Sequence, residues 1–211
     1  MIKDLPEKWR IDLSMEEYER HLIESDRRLY LMSEIASSDN ESGGYALSIA
    51  SQIVDDIIAY NRLDKDISPG DRKPIRLYIN SPGGDVTEGF AIVSAIEASK
   101  TPVWTINVGQ WSSMAFLIGI TGHWRLSLRH AMFLMHDGTT FTFDSMSKAQ
   151  DKMDFDKRFE QEVVKPHVLS HSKMTAAEYD AKERIEFYML PEDAKRLGFI
   201  DDIVETLDEI L

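Results

Sequence analysis

Hydrophobic residues recur along the chain with two alternating periods, and this alternation predicts a layered α/β fold. Between positions 46 and 60 the apolar residues lie three and four apart, which is typical of one face of an amphipathic helix. At positions 75–79 the apolar residues instead alternate with Arg76 and Tyr78, as in a short strand. Strand-like and helix-like segments continue to alternate to the end of the chain, which favours strands packed against helices.

The same patterns set approximate bounds for each element. They predict seven strands, at residues 28–35, 75–80, 102–108, 124–128, 131–135, 187–190 and 199–204. They predict helices at residues 15–25, 46–60, 86–96, 112–120, 146–169 and 191–197. Gly198 is expected to close the last helix. Pro166 is expected to end or kink the long one, because proline has no N–H to donate.

Length and cysteine content narrow the class of protein. The 211 residues fit one domain, or one domain with appendages. With no cysteine, the chain has no disulfide framework, no thiolate metal site and no cysteine nucleophile. The 43% of hydrophobic residues is enough to bury a real core.

Charge and hydropathy exclude two further classes. The 37 acidic side chains outnumber the 24 basic ones, for a net charge of −13, and nucleic-acid binding needs a basic surface. The longest apolar run, Met114–Ile120, is far shorter than the roughly 20 residues that span a membrane. The charged N-terminus, broken by Pro6, is not typical of a secretory signal. We therefore expect an acidic, soluble, cytoplasmic protein that binds neither nucleic acid nor membrane.

Three points on the chain combine a strand end, a tight turn and reactive chemistry. Residues 80–84 (NSPGG) join a strand to a helix, and their glycines let the main chain approach a ligand closely. Residues 109–115 (GQWSSMA) make a second such turn, where a serine is either a helix cap or a nucleophile favoured by the helix dipole. His136 ends an apolar strand, and a lone histidine there is usually structural.

The other histidines suggest no metal site. His21, His123, His130, His167 and His171 form no HExxH pair and no obvious metal-binding set.

The order and spacing of these points resemble one family, the proteolytic subunit of the Clp protease (ClpP), a self-compartmentalised serine peptidase. The resemblance extends from about Arg28 to Val204. It rests on LYINSPGGDVTEGFAI (77–92), GQWSSMAFLI (109–118), MFLMHDG (132–138) and EDAKRLGFIDDI (192–203).

The resemblance implies the residues of a serine peptidase site. Ser113 falls on the nucleophile, His136 on the general base, and Gly84 and Met114 on the two residues whose N–H groups form the oxyanion hole. Glu186 falls on the position of the orienting acid, where the family has aspartate. The other nearby acids, ranked below Glu186, are Asp137, Asp180 and Glu183. A triad of this kind needs no metal or organic cofactor.

Several positions depart from the family pattern and mark a divergent member. Trp111 and Ser112 precede the nucleophile where the family has small residues, so Trp111 is expected to narrow or reshape the site, and Ser112 is the rival nucleophile. Arg184 and Ile185 stand where the family often has an acid–arginine pair linked to contact between rings. Contacts between rings are therefore expected to differ.

The resemblance also implies a fold and an assembly. The fold is the ClpP/crotonase-like α/β superhelix of ββα units, with residues 1–26 as an N-terminal segment and 27–211 as the peptidase domain. A protruding handle helix at about 144–170 would join heptameric rings, possibly stacked, into a homo-oligomer. The alternative for this segment is a solvated helix packed on its own subunit. Peptides or unfolded proteins would be hydrolysed inside, delivered by an ATP-dependent AAA+ unfoldase.

Two other functions stay open at this point. The first is a catalytically inactive or regulatory subunit of the same fold. The second, ranked lower, is a crotonase-type acyl-CoA enzyme, which shares the fold and an oxyanion hole but needs no Ser/His pair at this spacing.

Overall fold

The computed structural model describes residues 26–36, 48–138, 145–182 and 185–210, which form a seven-stranded sheet and the helices around it. The strands are β1 (Arg28–Leu31), β2 (Ile75–Ser81), β3 (Val103–Ser112), β4 (Trp124–Leu128), β5 (Met132–Met135), β6 (Phe187–Met189) and β7 (Asp202–Val204). The α-helices are α1 (Ile49–Leu63), α2 (Val86–Ala98), α3 (Met114–Ile120), α4 (Met146–Phe159), α5 (Lys165–Ser170), α6 (Ala176–Lys182) and α7 (Pro191–Leu197). Among these described helices, none has the length and apolar character needed to cross a membrane.

The sheet is mostly parallel and is organised around β3. Its strand order is β1-β2-β3-β4-β7, and all of these neighbours run parallel. The first half of β3 pairs with β4, while its last residues, Gln110–Ser112, pair with β5. Strand β6 then adds to β5 in the antiparallel sense. This is the α/β architecture that the resemblance implies, and it brings the ends of β2, β3 and β5 together.

The core lies between the sheet and helices α1, α2 and α3. Ile53 and Ile57 of α1 and Ile92 and Ile96 of α2 are buried against the sheet. Their three- and four-residue spacing is the period that the sequence shows. A helix cap fixes where α2 begins, because the Asp85 side chain accepts a hydrogen bond from the Glu88 N–H (2.9 Å).

Most predicted elements are present, with shifted ends. Strand β3 continues through Ser112, so the predicted helix at 112–120 begins two residues later, at Met114. The last predicted strand shortens to Asp202–Val204. The first stops at Leu31, and Ile35 forms an isolated bridge with Gly84. Gly198 closes α7 in the left-handed conformation (φ 79°), as predicted.

The long helix is continuous but changes its winding. Helix α4 passes into a π-helical turn, Glu160–Val164, and then into α5, where Pro166 lies in the first turn. Proline cannot donate to the carbonyl four residues earlier, and the π turn places it where an N–H is not needed. The predicted interruption at Pro166 is therefore a change of helix type.

Two predictions fall outside the described residues. These are the helix at residues 15–25, with most of the N-terminal segment that contains it, and the positions of Glu183 and Arg184.

Candidate functional site

The turn between β3 and α3 holds Ser113 in an unusual backbone conformation. Its φ is 55° and its ψ −125°, one of two positive φ values at non-glycine residues of the described chain. The Ser113 N–H donates to the Leu134 carbonyl (2.9 Å), and the Ser113 carbonyl accepts from the Phe116 N–H (2.9 Å). A strained residue persists only where its surroundings fix it, and such residues concentrate at functional sites.

The Ser113 hydroxyl is free of the structural role that a serine at a helix start usually has. Its side chain makes no capping hydrogen bond to α3 and no hydrogen bond to any other described residue. Ser113 is half-buried, whereas its neighbours Ser112 and Met114 are buried. The fold therefore presents this one hydroxyl at the surface of an otherwise closed turn.

Gly83 allows the turn after β2 to pack directly on Ser113. Its φ is 98°, and a Cβ atom added there would lie 2.8 Å from the Ser113 Cβ and 2.7 Å from the Ser112 carbonyl oxygen. Any side chain would therefore displace the serine. Gly83 is not among the predicted site residues; the sequence signal for it is the second glycine of the Pro-Gly-Gly turn.

Gly84 pairs with Ile35 in a way that leaves its own N–H unused. The Ile35 N–H donates to the Gly83 carbonyl and the Asp85 N–H donates to the Ile35 carbonyl, both at 2.8 Å. These two bonds complete the bridge, so the Gly84 N–H has no described acceptor. With φ at 139°, and a Cβ that would lie 2.2 Å from the Ile35 oxygen, this position needs glycine.

A cavity of about 1090 Å³ brings four of the five predicted site residues together. Ser113, Met114, His136 and Gly84 all line it. Apolar side chains from α2, α3 and α4 form much of the remaining wall: Val86, Phe90, Phe116, Leu117, Phe155 and Phe159. The cavity thus joins a nucleophile candidate, a base candidate and two backbone donors to an apolar groove beside the long helix.

His136 lies at the open end of β5 and is held less firmly than Ser113. It is half-buried and makes no hydrogen bond to another described residue, including Ser113. The backbone register nevertheless gives it a neighbour. Met135 pairs with Phe187 in the antiparallel β5–β6 ladder, so the next pair in register is His136 and Glu186.

The Glu186 side chain is exposed, does not line the cavity and binds a different partner. Its Oε2 accepts a hydrogen bond from the Tyr188 hydroxyl at 2.7 Å. This hydrogen bond raises the pKa of Tyr188, because it stabilises the protonated phenol beside a carboxylate. Glu186 and Tyr188 are two residues apart on one strand edge and share a face, the face that the register also assigns to His136.

The lower-ranked acids are distributed differently. Asp137 lines the cavity and is exposed. Asp180 forms an ion pair with Lys165. Glu183 lies outside the described residues.

The expected effect of Trp111 on the site is wrong, and Ser112 is also turned away. Trp111 is fully buried in the core, with its ring edge-to-face on Phe133 and close to Gly119, and it does not line the cavity. Ser112 is 4% exposed and its hydroxyl lies 3.4 Å from the Gln110 side-chain oxygen. Trp111 and Ser112 lie on opposite faces of β3, because successive side chains of a strand alternate. The chain turns at Ser113, which is the first residue after β3 that lines the cavity.

Comparison with known families agrees with this arrangement. The family model described as "Clp protease" matches residues 44–207. That range includes both glycine-containing turns, His136 and Glu186, and it covers most of the chain. The chain therefore belongs to the Clp protease family.

Proposed function

We propose that the protein is a serine endopeptidase subunit that hydrolyses peptide bonds through an acyl-enzyme on Ser113. The observation that carries the proposal is the meeting of Ser113, His136, Gly84 and Met114 at one cavity, with Ser113 on a strained strand-to-helix turn. Membership of the Clp protease family supports the same reaction class.

The reaction proceeds in two halves. His136 removes the proton from the Ser113 hydroxyl as the oxygen attacks the substrate carbonyl carbon. The carbonyl oxygen becomes an oxyanion that accepts hydrogen bonds from the N–H groups of Gly84 and Met114. His136 then gives its proton to the leaving amine, the C–N bond breaks, and an ester to Ser113 remains. A water molecule, deprotonated by His136, attacks that ester and releases the acid product.

Glu186 is the acid that we assign to orient His136. An orienting carboxylate fixes the imidazole tautomer and stabilises the imidazolium that forms during attack. The β5–β6 register supports Glu186 over the other acids, because it places the two residues opposite each other. To reach His136, the Glu186 carboxylate must leave the Tyr188 hydroxyl.

The cavity also suggests the kind of substrate. Phe90 packs edge-to-face on Phe159 with ring centroids 5.2 Å apart, and both line the groove beside Ser113. Such a wall gains free energy by burying apolar side chains. We therefore propose extended peptides with an apolar residue beside the scissile bond as substrates.

Exposed apolar side chains on the long helix support assembly into an oligomer. Helix α4 has no buried residue, and Met146 (91% exposed) and Met153 (48% exposed) lie seven positions apart on one face of it. Exposed apolar side chains that share one helix face are typical of an interface. We propose homo-oligomeric rings closed over the active sites, with an AAA+ unfoldase delivering folded substrates.

Hydrolysis of a short fluorogenic peptide by the full chain tests the peptidase assignment. We expect turnover by wild type and none above background by Ser113→Ala. Turnover that survives Ser113→Ala would contradict the assignment, and the absence of any peptide turnover would favour an inactive subunit.

Sedimentation velocity tests the assembly separately. The proposal expects a species many times the 24.2 kDa mass of one chain. A stable monomer across the micromolar range would contradict the ring.

A further inference from the structure

Two histidines and a glutamate meet outside the cavity, at the base of the long helix. His167 and His171 lie four residues apart on α5 and the turn that ends it, and Glu97 lies near the end of α2. One ligand atom from each residue lies within 4.8 Å of the others. His167 is buried, His171 half-buried and Glu97 exposed. Sequence spacing alone shows only the histidine pair, because Glu97 lies 70 positions earlier.

Hydrogen bonds leave Nδ1 of His167 as the ring atom with a free lone pair. Its Nε2 lies 3.1 Å from the Thr121 hydroxyl and 3.3 Å from the Leu117 carbonyl oxygen. The Thr121 hydroxyl donates its own hydrogen to the Leu117 carbonyl, at 2.7 Å. Both neighbours of Nε2 therefore act as acceptors, so Nε2 carries the proton. The unprotonated Nδ1 then faces a Glu97 carboxylate oxygen at 3.4 Å.

His171 has the complementary arrangement. Its Nδ1 lies 2.8 Å from the His167 carbonyl oxygen, which can only accept, so Nδ1 carries the proton and Nε2 keeps the lone pair. A histidine that binds a metal almost always donates its other ring N–H to a carbonyl, carboxylate or water. Both histidines already make that second hydrogen bond, to Leu117 and to His167 respectively.

The contact between His167 and Glu97 fits a shared cation better than a shared proton. A charge-assisted N–H···O bond is about 2.7–2.9 Å long, shorter than the 3.4 Å observed. Two tetrahedral ligands bonded to Zn²⁺ at about 2.1 Å lie about 3.4 Å apart. The proton on Nε2 and the lone pair on Nδ1 make the His167 ring neutral. A neutral ring is the form that binds a metal.

We propose that Glu97, His167 and His171 bind a divalent transition-metal ion, for which Zn²⁺ is the best match to two imidazoles and one carboxylate. Water fills the fourth position. The ligand atoms, which lie up to 4.8 Å apart, reach bonding distance of the ion when the side chains of the exposed Glu97 and the half-buried His171 rotate. The buried His167 stays fixed.

The surroundings give the ion an entry and a structural effect. His171 lines an open surface cleft of about 770 Å³, together with Arg125, Ser170 and Lys195. The ion would join the end of α2 to the end of α5, so it would stabilise the base of the long helix. None of the three ligands lines the Ser113 cavity, and the site does not depend on the peptidase assignment.

Zn²⁺ titration of the chelator-treated full chain by calorimetry tests the proposal. We expect one ion per chain at this site, and a thermal midpoint raised by roughly 5–10 °C at 100-fold excess over Kd. Glu97→Gln and His171→Gln should each weaken binding at least about tenfold. Both side chains lie at or near the surface, so these variants should fold. His130→Gln is the matched control, because His130 is exposed and outside the cluster.

Two results would overturn the proposal. One is the absence of Zn²⁺ binding by wild type at concentrations up to the millimolar range. The other is Zn²⁺ binding that both Glu97→Gln and His171→Gln retain unchanged. The ion would then bind at other residues, for example at His136.

Discussion

The Ser113 turn and the end of strand β5 at His136 line the same cavity, but the fold holds them differently. Ser113 is fixed through its backbone, by hydrogen bonds to Leu134 and Phe116, and Gly83 packs directly against it. His136 has no hydrogen bond to another described residue, and its proposed partner Glu186 binds Tyr188.

The fold therefore positions Ser113, but it leaves His136 and Glu186 without a hydrogen bond to each other. The proposed nucleophile and backbone donors lie on turns that pack closely against neighbouring backbone, Gly83 on Ser113 and Gly84 on Ile35, so their positions follow from that packing. The proposed base and its proposed acid lie at strand ends, and the hydrogen bond from Tyr188 holds the Glu186 carboxylate away from His136. In the proposed reaction, preorganised donors lower the barrier without reorganisation, whereas the His136–Glu186 hydrogen bond must first form, because Glu186 accepts from Tyr188.

The largest effect is expected from removing the nucleophile. Ser113→Ala should lower kcat for a fluorogenic peptide by about 10⁴-fold or more, because the covalent route is lost. Ser112→Ala is the matched control and should change kcat little, since its hydroxyl lies outside the cavity. Ser113→Ala combined with His136→Ala should lose no more activity than either change alone, because the two residues act as a unit. Additive losses would mean that they do not.

Removing the charge of Glu186 should have the next largest effect. Glu186→Gln should lower kcat by between about 10² and 10³-fold, less than the roughly 10⁴-fold loss for a buried triad acid, because Glu186 is exposed. Asp180→Asn is the control, since Asp180 is paired with Lys165. If Asp137→Asn lowers kcat and Glu186→Gln does not, Asp137 is the orienting acid.

Adding a methyl group at Gly83 tests whether activity depends on the packing that holds Ser113 in place. Gly83→Ala should lower kcat about 10²-fold, because a Cβ at 2.8 Å from the Ser113 Cβ forces the serine out of position. Gly70→Ala is the matched control, since a Cβ there has no atom within 4 Å. Circular dichroism should show both variants folded. Unchanged kcat in folded Gly83→Ala would show that the position of Ser113 is not critical.

The smallest effect, and one of opposite sign, is expected at Tyr188. Tyr188→Phe removes the hydroxyl that competes for Glu186, so kcat should rise, by a few-fold at most because the hydrogen bond is exposed and therefore weak. Steady-state kinetics on the same peptide measure it. A fall in kcat would instead make Tyr188 a support for the site.

Sequence patterns predict most of the fold because they record local rules. The alternation at residues 75–79 and the helical spacing at 46–60 each follow from which side of an element is buried. The Pro-Gly-Gly sequence predicts a turn because glycine adopts unusual backbone angles, whereas the Gly-Gln-x-x-Ser-Met motif identifies the second turn through its resemblance to the Clp protease family. Element ends are predicted less well: β3 extends through Ser112, and Trp111 in this extension pairs with Ser81 and is buried in the core.

Side-chain partners that meet through tertiary packing are not visible in the sequence. The Tyr188 hydroxyl donates a hydrogen bond to the Glu186 carboxylate at the edge of β6, and no sequence motif predicts this contact. Trp111 beside the nucleophile suggests a role at the site, but strand alternation points it into the core. Glu97 reaches the two histidines only after α2 and α5 have packed.

Labelling with a fluorophosphonate probe, followed by mass spectrometry of the labelled peptide, tests the central claim most directly. The probe reacts only with an activated serine, so it reports both activity and the identity of the nucleophile. We predict one labelled residue, Ser113, with labelling lost in His136→Ala and kept in Ser112→Ala. Labelling of Ser112 or of another serine, or no labelling of wild type under conditions that label an active serine peptidase, would contradict the account.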